Sequence, residues 1–261
     1  PFESLVLAIN KYHIKESKKI VYLFLILFGL TFVLGDKGYD SFEIAKELSN
    51  YPDISFRQFL SSFGDLYKNR NSMDIVQQCI LFLVSRISLD HRLLFGVFAA
   101  IFGYFYLKSV NAMYDEYRKD RNINTLFFFI FFVFALNPIS NINGFRFWTA
   151  SWVFFWGTYN VIQNKQMKYI LVSLLAILFH FSFIFPCLLL LAYLLLGNRN
   201  TLYFILLIMS FFLSDIVLTI FPQIGDILGE GFASKISGYT SESRFTIVEE
   251  SRIYRQENFA W

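Results

Sequence analysis

From Tyr169 to Leu196 the chain is nearly unbroken apolar sequence, interrupted at His180, Ser182 and Pro186. One membrane crossing takes about 17–25 apolar residues, so this 28-residue stretch is long for one span and short for two. Pro186 has no backbone N–H to give and would kink or break a helix there. The segment therefore predicts a helical hairpin or broken helix turning near His180–Pro186.

The rest of the chain follows the same pattern. Apolar runs at about Lys19–Gly35, Leu93–Val110, Asn124–Ile139, Phe147–Gln163 and Leu202–Phe221 read as further spans. Hydrophobic residues are 56% of 261 positions and charged residues 16%, where soluble domains carry about 25% charge. The 34 Phe residues gather in runs such as Phe127–Phe134 and suit helices in lipid. Asp74–Asp90 differs, because Gln77, Gln78, Ser85, Arg86 and Ser88 interrupt it. It reads as a re-entrant or interfacial helix. The expected fold is all-α: a polytopic transmembrane helical bundle with re-entrant or broken helices, in one membrane domain over residues 1–261. Pro1 and Trp261 read as internal to a longer chain.

Basic residues set the orientation, since cytoplasmic loops are enriched in Lys and Arg. Four clusters stand out: Lys11, Lys15, Lys18 and Lys19; Lys108, Arg118, Lys119 and Arg121; Lys165 and Lys168; and Arg199. All fall on one side if Asp74–Asp90 does not cross and Tyr169–Leu196 goes in and comes back. Segments 36–73, 139–146 and 222–261 then lie outside. The last carries Lys235, Arg244, Arg252 and Arg255 against six acids, which fits that side. A net charge of +3 spread over loops points to topology, not to nucleic acid.

Ionisable residues at membrane depth are rare and usually face a cavity, a partner or a substrate. Arg146, in Asn141–Trp148, and His180, in Leu174–Phe183, are the two that stand out. Eleven residues at 1.5 Å rise put His180 roughly 16 Å from the inner boundary, which requires an outward-facing cavity. Competing readings are that Arg146 snorkels to the interface and that His180 packs at a helix break. Arg86 could salt-bridge a neighbour, and Asp40 could be a solvated loop acid. Trp148, Trp152 and Trp156 recur every four residues on one helix face; packing or interface anchoring competes with sugar stacking. Cys79 and Cys187 lie in apolar segments with no metal-ligand spacing, and no phosphate-binding glycine loop is present. No cofactor or metal is expected.

The residues also carry a family resemblance. Asp36-Lys-Gly-Tyr-Asp40 after the first span resembles the Gly-x-Asp region of the EpsG family, although no Tyr follows closely after Asp40. Asn143-Gly-Phe-Arg-Phe-Trp-Thr-Ala150 resembles its Asn-Gly-x-Arg-x-x-x-Ala motif. Ala176-Ile-Leu-Phe-His-Phe-Ser182 is similar to its Ala-x-x-x-His-x-Ser motif. The resemblance implies capsule or exopolysaccharide synthesis in the bacterial inner membrane, with a Wzy-like polymerase role acting on polyprenyl-diphosphate-linked glycans. Partners would be that glycan, the bilayer and other capsule-synthesis membrane proteins.

In such a reaction an acceptor hydroxyl attacks an anomeric carbon while lipid diphosphate departs, and a metal-independent glycosyltransferase needs a cation to hold that charge. Arg146 offers a planar donor fork for phosphate oxygens. His180, with its ordinary pKa near neutrality, suits a base. Asn143, Arg86, Asp40, Trp148 and Ser182 are candidate substrate contacts. A transporter or flippase for the lipid-linked glycan, and a non-catalytic scaffold, are the alternatives.

Overall fold

The computed structural model describes residues 14–34, 40–65, 74–117 and 139–212. The expected span at Asn124–Ile139, all but its last residue, and the outer segment 222–261 lie outside these. Every regular element among the described residues is helical. Two units share the chain: Pro1–Ser55 with Asp74–Leu194, and Phe56–Met73 with Leu195–Trp261.

The first unit is built on a glycine-lined helix pair. Helix α1 (Ile14–Leu30) packs along the 27-residue helix α5 (His91–Tyr117). Helices in lipid gain little from hydrophobic exclusion and associate through close packing, which favours small residues at the seam. Gly29 meets Phe95 and Ala99, Gly96 meets Leu30, and Gly103 meets Leu25. A Cβ on Gly29 would stand 2.4 Å from the Phe95 carbonyl oxygen. These pairings run in opposite senses along the two helices, so α1 and α5 are antiparallel. Tyr22 ties them further by donating to the Ala100 carbonyl at 3.1 Å.

Helix α6 (Phe145–Ile162) packs on the other side of α5. It buries Phe145, Thr149, Trp152, Val153, Gly157, Asn160 and Val161, a stripe at the helical period. Phe145 stacks on Phe98 with centroids 4.0 Å apart, and Trp152 meets Tyr106 edge-on at 5.0 Å. Such pairs add about 0.5–1.5 kcal/mol each. Ser109 donates to the Trp152 carbonyl and Tyr159 to that of Ala112, both at 3.2 Å. These contacts climb both helices together, so α5 and α6 are parallel. Trp152 is buried, and Trp156 sits against Phe105 and Tyr169. The tryptophan stripe is interior packing over these two positions.

The long apolar run is broken where expected. Helix α7 (Ile170–Phe179) ends at His180, whose backbone is extended (φ −150°, ψ 119°). A 3₁₀ turn, Phe181–Phe183, leads into helix α8 (Ile184–Leu196). In one continuous helix the ring of Pro186 would strike the carbonyl of Ser182. Starting α8 at Ile184 puts Pro186 in its first turn, where the missing N–H costs nothing. Cys187 then donates from Sγ to the Ser173 carbonyl at 3.3 Å, whereas a straight helix would hold residues 14 apart at roughly 21 Å. The run therefore folds back on itself at His180. Helix α7 lies antiparallel to α6, with Phe145 against Phe179 at one end and Trp156 against Tyr169 at the other, and the Gly157 Cα against Ser173 between them.

Two shorter helices complete this unit. Helix α2 (Asp40–Leu48) lies in the segment expected outside, and α4 (Ile75–Ser85) has 11 residues, too few to cross. Helix α4 packs against α2, α5 and α7 and buries both Gln77 and Gln78. In the second unit, α3 (Phe56–Asp65) and α9 (Asn200–Phe212) are the described helices. Gly197 takes a left-handed conformation (φ 72°) just past α8, and Tyr203 caps its carbonyl at 2.9 Å. Residues Phe204–Met209 of α9 are largely exposed, as are Leu23 and Leu27 of α1 and Leu188 and Leu189 of α8. Among the described residues, His91–Met113 is long and apolar enough to cross a membrane.

Candidate functional site

Arg146 and His180 meet at one buried acid. Asp74 stands immediately before α4, its side chain fully buried. Arg146, in the first turn of α6, donates from Nη1 to Asp74 Oδ2 at 3.0 Å. The backbone N–H of Phe181 donates to Asp74 Oδ1 at 3.1 Å, and His180 Nδ1 lies 3.6 Å from the same oxygen. Three segments remote in sequence thus converge on one carboxylate. The His180 ring also meets Phe147 edge-on, with centroids 5.6 Å apart.

Asp40, at the start of α2, approaches Arg146 Nη2 at 3.5 Å with 59% of its side chain exposed. Deeper on α2, Glu47 accepts from Gln77 Nε2 at 3.3 Å. Burial raises the Glu47 carboxyl above its ordinary value of 4.5, partly offset by Gln77, the charge of Arg146 and Tyr51. The Tyr51 hydroxyl is raised as well, first by burial and then by Glu47.

The guanidinium is therefore flanked by a buried acid it holds tightly and an exposed acid it holds loosely. A buried, hydrogen-bonded pair such as Arg146–Asp74 is strongly destabilised when one partner is removed. An exposed pair contributes about 0–1 kcal/mol, so an incoming anion displaces Asp40 more easily than Asp74. Arg146 keeps 27% of its side chain exposed and His180 18%.

Several expectations change. Arg146 at the outer surface and His180 near mid-depth were placed at different levels; sharing Asp74 brings them to one. Arg86, a candidate substrate contact, donates to the carbonyls of Pro52, Tyr51 and Ile54 and lies 4.4 Å over the Phe82 ring. Its donors pin the loop after α2, which no side-chain pattern in the sequence announces. Trp148 packs beside Gly144 and edge-on to Phe147. Ser182 is half-buried in the turn after His180. Asn143 belongs to the 3₁₀ turn Ile139–Gly144, with its side chain outside the described residues. A cleft of about 500 Å³ opens among Leu30–Leu34, His91 and Arg92, away from the cavity that the depth estimate asks for at His180.

Asp74 is the residue that the sequence reading missed. Its one signal was an acid directly ahead of an apolar helix, where Asp is ordinarily an N-cap. Here it makes no side-chain cap bond and turns to Arg146 instead.

Both motif residues, Arg146 and His180, thus sit in one constellation of an all-helical fold. The EpsG family model matches residues 39–254, most of the chain, with Asp40, Asp74, Arg146 and His180 inside the match. The chain belongs to the EpsG family, which is membrane-associated and acts in exopolysaccharide biosynthesis. Comparisons with curated proteins and with solved structures gave no match.

Proposed function

We propose that this protein polymerises polyprenyl-diphosphate-linked oligosaccharide repeat units at the outer face of the bacterial inner membrane, crossing that membrane several times. The observation that carries the reading is the shared carboxylate of Asp74, which holds Arg146 and His180 at one place with both side chains partly open. Arg146 binds the departing diphosphate, whose negative charge builds as the glycosidic bond forms. Its donor fork suits two phosphate oxygens, and the loosely held Asp40 gives way to them. Preorganised charge of this kind is often the largest catalytic term. His180 takes the proton of the acceptor hydroxyl.

The helix directions support the same topology. Helix α1 runs opposite to α5, α5 and α6 run together, and α7 turns back before a second crossing. The basic clusters assign these relative senses independently. Capsule or another exopolysaccharide is the product class.

Arg146→Ala and His180→Ala in the full-length protein test the reading through the glycan attached to the lipid carrier. The expected result is single repeat units accumulating on the outer leaflet, with long chains lost. Accumulation on the inner leaflet would indicate a flippase. Normal chain lengths in both variants would remove the catalytic assignment.

A further inference from the structure

The geometry points to Asp74 as a positioning residue that fixes the tautomer of His180, so that Nδ1 carries the proton and Nε2 is left bare as the base. This deepens the polymerase reading and rests on it. His180 Nδ1 is fully buried and makes no hydrogen bond, yet it faces a carboxylate oxygen 3.6 Å away. A bare Nδ1 would set two lone pairs against each other at an atom with no surface open to solvent. A protonated Nδ1 turns that contact into attraction, and a slide of about 0.6 Å completes the bond. The exposed part of the ring lies on its other atoms, since Nδ1 has no accessible surface.

The surroundings hold this arrangement in place. Asp74 Oδ2 is engaged by Arg146 and Oδ1 by the Phe181 N–H, so the carboxylate cannot swing away. Extended backbone at His180 and the edge-on ring of Phe147 fix the imidazole plane. With no exposed surface, Asp74 itself does not touch a sugar.

The step then balances. The acceptor O–H bond breaks and its proton goes to His180 Nε2. The oxygen forms a bond to the anomeric carbon as the carbon–oxygen bond to diphosphate breaks, and that electron pair leaves with the diphosphate beside Arg146. The imidazolium formed keeps its Nδ1–H directed at the Asp74 carboxylate until water takes the Nε2 proton. A carboxylate that orients an imidazole in this way stabilises the imidazolium without becoming protonated.

Nitrogen-15 spectra of histidine-labelled protein in lipid nanodiscs test this, with His180→Gln to assign the signal. The expected wild-type signature is a protonated Nδ1 and a bare Nε2. In Asp74→Asn the proton moves to Nε2, because the amide can donate to Nδ1. Lipid-linked repeat units extracted from cells lacking the polymerase serve as substrate in the kinetic arm. There Asp74→Asn should lower kcat by about 10²–10⁴-fold with KM little changed, and Asp74→Glu should recover part of it.

A wild-type ring protonated on Nε2 overturns the proposal, as does a loss carried by KM alone. If Asp74→Asn does not fold, the wild-type tautomer and Asp74→Glu decide the matter. The tautomer is read without turnover, so it stands or falls apart from the polymerase reading, which normal chains from His180→Ala would remove.

Discussion

At the scale of single residues, the sequence displays charges in apolar surroundings but hides what neutralises them. Arg146 and His180 were legible because an ionisable group in a span is costly and therefore rare. Asp74 was not, because an acid at a helix start is the common N-cap choice. The partners of Arg86 were hidden for a related reason: they are the backbone carbonyls of Tyr51, Pro52 and Ile54, which have no side-chain signature. Glu47 offers a separate test. Its carboxyl is raised in the fold chiefly by burial, so the folded state holds the proton more tightly than the unfolded chain. As pH rises past 4.5 the unfolded chain ionises first, and stability falls until the folded group ionises too. Glu47→Gln should remove that decline. Thermal unfolding in detergent from pH 4.5 to 8 should show the variant pulling ahead of wild type as pH rises. Parallel curves would mean that Glu47 carries no such cost.

Elements were read more securely than contacts. The polar positions of Asp74–Asp90 set it apart from the apolar spans, and there α4 is only 11 residues long and buries both glutamines inside the unit. Pro186 announced the break in the long apolar run, although the chain turns at His180 and the proline merely starts the next helix. What the apolar pattern left out is which faces meet, because in a greasy helix every face is apolar. The α1–α5 seam is set by Gly29, Gly96 and Gly103, and their role became visible only once the helices were paired. Gly29→Ala should therefore destabilise the pair by about 1–3 kcal/mol, since the new methyl meets both the Phe95 carbonyl and the Ala99 side chain. Ala99→Gly in the same chain relieves one of those two clashes and should restore part of the loss. Unfolding midpoints in detergent measure both effects, and an unchanged midpoint for Gly29→Ala would show the seam to be looser than described.

Across the whole molecule, the acid-lined cluster lies at the start of α6 and the basic turn with Lys165 and Lys168 at its far end, about 27 Å away for 18 residues. The proposed topology puts the first outside and the second inside. Cysteines at Asp53 and at Met167, both exposed, in a Cys79→Ala and Cys187→Ser background, test it with a membrane-impermeant maleimide. Position 53 should label in intact cells and position 167 only after permeabilisation. The reverse order would invert the topology and remove an outward-facing site. Relative helix directions were legible from the clustering of Lys and Arg, whereas the convergence on Asp74 was not, because it joins residues brought together only by tertiary packing. That convergence also bears on biogenesis. Arg146 follows Asp74 by 72 residues, and ribosomes add about 5–20 residues per second. For several seconds the nascent chain must carry an acid whose counter-charge has not been made. A chain that stops before the second motif therefore has to fold without the partner that Asp74 takes in the finished protein.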